Sequence, residues 1–238
     1  MTTISERLQA AKAGIKAAAA DCGRDPDTIR LLAVSKAHPA EKIREAHAAG
    51  QHLFGENYLQ EALDKQAQLA DLDIEWHFVG PIQSNKTQAI AQHFDWVHGV
   101  DRLKIAERLS AARPEDMQPL QICIQINVSG ETNKSGVPPE EAYPLAAAIA
   151  RLPRIKLRGL MSIPAPTPDI TLQRKQFGLV RDVLEKLKEQ LPDTLGLDTL
   201  SMGMSEDFSA AIAEGATIVR IGSAIFGARP AKTKEQAT

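Results

Sequence analysis

Residues 31–39 read LLAVSKAHP. Leu31 to Ser35 are uncharged and mostly apolar, Lys36 ends the run, and Pro39 opens something new. A short apolar run bounded by turn residues reads as a buried strand, and a proline just past it suits the first turn of a helix. What the turn lacks decides the fold. An open doubly wound sheet usually carries a Gly-x-Gly-x-x-Gly turn after its first strand. Here the turn holds Lys36 and Pro39 and no glycine.

Strand-like and helix-like stretches alternate on either side of this one. Ile4, Leu8, Ala11 and Ile15 share one helical face, so an opening helix precedes the first strand and ends near Cys22-Gly23. After the strand at 30–36, Pro39 starts a helix that Gly50 closes. Further strands are expected at 53–55, 74–79, 96–98, 120–128, 156–161, 199–202 and 217–221. Helices follow them, beginning at Asn57, Ser84, Asp101, Pro138, near Asp169, after Ser205-Glu206, and at Gly222. Phe177, Val180, Leu184, Leu187 and Leu191 mark the longest as one apolar stripe. Strands alternating with helices imply a parallel sheet. Eight such units in roughly 250 residues make a closed barrel. The sequence therefore predicts an α/β fold: a single (β/α)8 TIM-type barrel with an extra N-terminal helix, occupying residues 1–228, and a flexible polar tail at 229–238.

The fifth strand supports closure. Leu120, Ile122, Ile124 and Ile126 alternate with Gln121, Cys123, Gln125 and Asn127. In a barrel the first set faces the helices and the second lines the interior, with Asn127 near the mouth. Alternation alone more often marks a half-exposed antiparallel strand. The surrounding βα units argue for the barrel.

Composition narrows the function. With 24% charged residues, a net charge of -2 and 4% aromatics, nothing suggests a nucleic-acid or membrane-surface protein. The two cysteines, Cys22 and Cys123, make no disulfide framework, and Met1 to Glu6 carry no secretion signal. A reducing, cytoplasmic setting is expected. No stretch approaches the length that spans a bilayer. The histidines show no metal-binding spacing, and Gly130 to Gly136 fails the Walker pattern.

Barrel enzymes place their chemistry at the C-terminal ends of the strands. In chain order those ends bring Lys36, Glu56-Asn57, His77 and Gly80, His98, Asn127, Met161-Ser162, Ser201 to Ser205, and Arg220 with Gly222-Ser223 to one opening. SMGMSED (201–207) and RIGSAIFG (220–227) are both glycine- and serine-containing turns that enter helices. Barrel phosphate sites commonly follow strands seven and eight. Either turn alone reads as an ordinary helix cap; the pair points to phosphate. His77 reads equally as a core histidine or as part of the ligand side. A desolvated lysine has a lowered pKa and forms Schiff bases, although a lone lysine at a strand end is more often plain surface. Lys36 opposite a phosphate cup points to an aldehyde phosphate: pyridoxal phosphate, or the substrate of a sugar-phosphate aldolase.

LLAVSK, FGENY, WHFVGPIQSNK, GLMSI, LSMGMSEDF and VRIGSAIFG together resemble the pyridoxal phosphate homeostasis protein family, which is similar to the N-terminal barrel domain of alanine racemases. The motifs run in the family's order from residue 31 to 227. The resemblance implies that Lys36 carries pyridoxal 5'-phosphate as a Schiff base. It implies that Ser205, Gly222 and Ser223 surround the phosphate with Ser201 nearby, that Asn57 and Met161 line the cofactor, and that Arg220 meets the pyridine nitrogen. His38 stands where some relatives carry a second lysine. The implied role is a carrier or regulator in intracellular vitamin B6 and amino-acid homeostasis that hands cofactor transiently to apo-enzymes, with at most weak racemase activity. A monomer is expected because the dimerising second domain of the racemases is missing from this sequence. The alternative is a pyridoxal phosphate-dependent amino-acid racemase of the alanine racemase type.

Overall fold

A computed structural model describes residues 2–129, 135–192 and 195–228. The expected tail at 229–238 and most of the Gly130–Gly136 loop lie outside the described residues. The chain opens with α1 (Ile4–Asp21), where Thr3 and Glu6 form a reciprocal cap: the Glu6 N–H donates to Thr3 Oγ1 and the Thr3 N–H to Glu6 Oε2. Then strands β1 (Arg30–Val34), β2 (Leu53–Glu56), β3 (Glu75–Phe78), β4 (Trp96–Val100), β5 (Leu120–Ile126), β6 (Ile155–Ser162), β7 (Thr199–Ser201) and β8 (Ile218–Ile221) pair in parallel, in chain order. β8 returns to pair with β1, so the sheet closes into the expected barrel. Helices α2 (Ala40–Ala48), α3 (Leu59–Gln68), α4 (Thr87–His93), α5 (Leu103–Ala112), α6 (Ala142–Ile149), α7 (Ile170–Gln190), α8 (Phe208–Ala213) and α9 (Ser223–Phe226) follow the strands in turn.

Strand side chains point alternately inward and outward. The large core lies between barrel and helices, and it takes Leu31 and Ala33 of β1, Phe54 of β2 and Leu120, Ile122, Ile124 and Ile126 of β5. A second, smaller cluster fills the barrel itself: Leu32, Val34, Val79, Trp96, Cys123, Met161 and Ile218. The two faces of β5 are thus divided as its alternation requires.

Several element starts differ from the sequence reading. Asn57 continues the inward alternation of β2, and α3 begins two residues later, at Leu59. Asp101 does not cap α5; its carboxylate accepts from Arg102 Nη1, and Arg102 holds the cap position. Ser84 and Pro139 each open a 3-10 turn that runs into the α-helix.

Candidate functional site

The same alternation aims Lys36, Asn57 and Arg220 at the barrel axis, each at the C-terminal end of its strand. There a cavity of about 320 Å³ opens, lined by these three with Ser205, Gly222 and Ser223. Val34, Val79, Ile163, Pro164 and Met204 supply its apolar walls. Lys36 is half-buried. Asn57 Oδ1 is buried in the wall with no hydrogen-bond partner, and a buried amide oxygen left this way is costly unless something else engages it. A cation, an amine, hydroxyls and an unsatisfied amide converge on one partly apolar opening, the composition of a small-molecule site.

Arg220 is the most constrained of these side chains. Its Nη1 donates to the Ser201 carbonyl at 2.5 Å and to Ser201 Oγ at 2.9 Å, and its Nη2 to the Ser162 carbonyl at 2.9 Å. Burial pulls its pKa down to about 10, partly offset by Asp207, so it remains a cation at neutral pH. Below it a polar line crosses the barrel interior. Ser201 Oγ is 2.7 Å from His98 Nδ1, His98 Nε2 is 2.9 Å from His77 Nδ1, and His77 Nε2 is 2.8 Å from Glu75 Oε1. Burial lowers both imidazole pKa values, that of His98 well below the ordinary value, so both are neutral. Burial works to raise Glu75, but the His77 N–H and Arg30, 2.5 Å away, outweigh it and hold the carboxyl at about 2.

The two serine- and glycine-containing turns meet at the cavity. Gly203 has φ +92°, and a Cβ there would lie 2.6 Å from the Ala211 Cβ, so only glycine fits the turn. Its carbonyl accepts the Arg220 N–H at 3.0 Å, which ties the first turn to the second. At Gly222 a Cβ would come within 3.0 Å of the Val34 carbonyl, the strand end that carries Lys36. Asp207 holds the first turn by accepting the Met204 N–H at 2.6 Å; burial raises its pKa.

Six of the eight residues singled out from sequence therefore line one cavity. Met161 and Ser201 do not. Met161 packs in the apolar cluster inside the barrel, beneath the mouth, and Ser201 lies under Arg220 as a link in the buried line. His77 is a link in the same line and His38 also lines the cavity; Asn127 does not. Thr167 and Gln173 were not anticipated. Gln173 Nε2 donates to the Thr167 carbonyl at 2.8 Å, holding the proline-rich connection 163–169 against the opening. That connection follows β6 with no helical or strand periodicity, so pattern reading passes over it. Among the described residues there is no group of three or more His, Cys, Asp or Glu that could hold a metal ion, and no helix long and apolar enough to cross a membrane.

The family model described as "Alanine racemase, N-terminal domain" matches residues 7–230. The pyridoxal phosphate homeostasis protein of Pseudomonas aeruginosa is 59% identical over 229 residues, covering 96% of this chain and 97% of that one. Its counterpart in Escherichia coli K12 is 51% identical over 235 residues, 96% and 98% of the two chains. The solved structure of PipY from Synechococcus elongatus with PLP bound superposes with a TM-score of 0.83 at 39% identity, over 94% of this chain and 100% of that one.

Proposed function

We propose a function on the premise that this chain belongs to the pyridoxal phosphate homeostasis protein family, built on the alanine racemase N-terminal domain: it holds pyridoxal 5'-phosphate in the mouth of its barrel, as a Schiff base on Lys36. It acts as an intracellular carrier or regulator of this cofactor rather than as an efficient catalyst, with residues 1–228 as one cofactor-binding unit. The observation that carries the reading is the convergence of Lys36, Arg220 and the 201–207 and 220–227 turns on one cavity, with the buried Asn57 amide oxygen in its wall. The residues fit the cofactor's chemistry. Lys36 supplies the amine that condenses with an aldehyde and releases water. Ser205 and Ser223 would supply hydroxyl donors for a phosphate, at turns that Gly203 and Gly222 allow to pack closely on Ala211 and on the Val34 carbonyl. The family resemblance implies that Arg220 would face the ring nitrogen; a fixed cation there would disfavour protonation of that nitrogen and weaken the ring as an electron sink.

Bound pyridoxal phosphate supplies electrophilic stabilisation of negative charge at a substrate carbon. Racemisation further needs one group to take the proton from one face of that carbon and another to return a proton to the opposite face. Lys36 serves one. The only tyrosines, Tyr58 and Tyr143, are exposed and absent from the cavity lining, so neither serves the other. The test is spectroscopic and chemical. Purified protein loaded with the cofactor should be yellow and should bleach on borohydride reduction. Mass spectrometry should place the reduced adduct on Lys36, and Lys36→Ala should lose it while still folding. An adduct on another lysine overturns the assignment. Turnover of L-amino acids in heavy water at an ordinary enzyme's rate of about 10 per second, lost in Lys36→Ala, favours the racemase over the carrier.

A further inference from the structure

The alternation that points Lys36 and Asn57 into the barrel points their predecessors, Ser35 and Glu56, outward beneath α3. A carboxylate in that layer is unusual, and Glu56 is fully buried. It is met there by Lys65 of α3, itself 4% exposed. Lys65 Nζ donates to the Ser35 carbonyl at 2.9 Å, to Glu56 Oε1 at 2.6 Å and to Glu61 Oε1 at 2.5 Å. An ammonium has three N–H groups, and all three are engaged. Ser35 Oγ donates to the same Glu56 oxygen at 2.6 Å. On the other side of Lys36, the Ala37 N–H donates to Glu61 Oε1 at 2.6 Å. Ala37 has φ +62°, a left-handed conformation that a residue with a Cβ rarely adopts without something to hold it.

We propose that Lys65, with Glu56 and Glu61, is the positioning group for Lys36: one buried ammonium fixes the backbone before the lysine, one carboxylate fixes it after, and together they aim the amine into the cavity. The group ties two strand ends at once, since Ser35 precedes Lys36 and Glu56 precedes Asn57. Stability alone is a poor account of it, because buried ion clusters are often no better than apolar packing of the same volume. Burial accordingly pushes the Glu56 pKa up, against the pull of Lys65 and Ser35. What an apolar replacement cannot reproduce is direction. The two bonds that flank Lys36 need an acceptor for the Ala37 N–H and a donor for the Ser35 carbonyl.

The inference rests on the Schiff-base reading for its consequence, and its test has an arm that does not. In the first arm the apoprotein is mixed with pyridoxal 5'-phosphate and quenched with borohydride at intervals, and the adduct at Lys36 is counted by mass spectrometry. Glu61→Ala should slow its formation at least tenfold, and Glu61→Gln, which keeps an acceptor for Ala37, should restore most of the loss. Lys65→Met should slow it as well and spread the adduct to other lysines; should that variant fail to fold, the Glu61 pair carries the test. In the second arm the lysines of the apoprotein are reductively methylated with 13C-formaldehyde, with Lys36→Arg identifying the Lys36 resonance. That resonance should be distinct in the parent protein and collapse toward the exposed-lysine position in Glu61→Ala. Unchanged trapping and an unchanged resonance in Glu61→Ala would overturn the positioning role. A parent protein that forms no Lys36 adduct would overturn the cofactor reading instead, and the resonance would still decide this one.

Discussion

Gly80 follows β3 and packs on the strand end that carries Asn57. A Cβ built at residue 80 would lie 2.2 Å from the Asn57 carbonyl oxygen and 2.9 Å from both its carbonyl carbon and its Cα. All three are backbone atoms, so no flexible side chain can swing aside. The neighbouring backbone is pinned as well, because the Val79 N–H donates to the Glu56 carbonyl at 2.9 Å. Restoring ordinary contact distances in Gly80→Ala requires roughly 1 Å of movement, and overpacking of this kind costs about 1–3 kcal/mol. The movement falls on Asn57, a residue of the cavity lining. Displacements of about 1 Å in a site can cost on the order of 100-fold; for binding alone we expect pyridoxal 5'-phosphate affinity to fall by about tenfold, or about 1.4 kcal/mol. The assay is an absorbance titration of the apoprotein beside a denaturant melt. Gly50→Ala is the control: it has φ +84° and nothing within 4 Å of the new Cβ, so it should lose stability through backbone strain, by about 1 kcal/mol, and bind the cofactor normally. Parental affinity in Gly80→Ala, with the expected loss of stability present, would refute the placement of Asn57 in the binding site.

Two further outcomes are expected. Replacing Ser205 and Ser223 together with Ala should weaken cofactor binding by roughly 1–3 kcal/mol, the range for hydrogen bonds to a charged group, and in the parent protein pyridoxal without its phosphate should bind far less tightly; equal affinity for the two forms in a titration would place the phosphate elsewhere. The buried histidines make stability pH-dependent. His77 and His98 are held below the ordinary 6.5 by burial, so below that pH the unfolded chain binds more protons than the fold. Their contribution is complete above about pH 6.5 and is lost as the pH falls, at up to about 1.4 kcal/mol per pH unit for each. Glu56, raised by burial, acts in the opposite sense above 4.5, so the readout is the difference between proteins: His98→Asn should be less stable overall yet show a flatter acid limb between pH 6.5 and 4.5 in denaturant melts, and identical slopes would mean that His98 is not buried neutral.

The barrel was legible because its signals are local and repeated. A proline opens the turn before α2, an apolar stripe marks α7, and β5 alternates cleanly because its two faces meet different neighbours. The inward-pointing members of the site, Lys36, Asn57 and Arg220, could be read for the same reason: a position at a strand end fixes which way a side chain faces. Met161 and Ser201 also sit at strand ends, and they show the limit of that rule. Both lie on β6 and β7 in register with one another, one layer below the mouth, and depth along the barrel axis depends on the stagger between strands, which no single strand reveals. Lys65 was beyond reach for another reason. In sequence it is one more lysine on a polar helix; only the outward-facing Glu56, brought under α3 by the closing of the sheet, makes it a buried ammonium. The cap expected at Asp101 does not form, because the neighbouring Arg102 guanidinium takes the carboxylate.

The line of polar groups inside the barrel has a sense as well as a path. Arg220 has only hydrogens to give, and Glu75, ionised, can only receive. With both imidazoles neutral, every hydrogen between them has one place. Arg220 gives to the Ser201 oxygen, Ser201 gives its own hydrogen to His98 Nδ1, His98 gives from Nε2 to His77 Nδ1, and His77 gives from Nε2 to Glu75. The tautomers follow from the two ends and from nothing local to either ring. No member can be turned around alone, since reversing one bond would set two hydrogens, or two lone pairs, against each other at the next. The interior of the barrel is therefore a single polarised strut, its donor end at the mouth and its acceptor end at the opposite opening, where Arg30 pairs with the same Glu75 oxygen that closes the line.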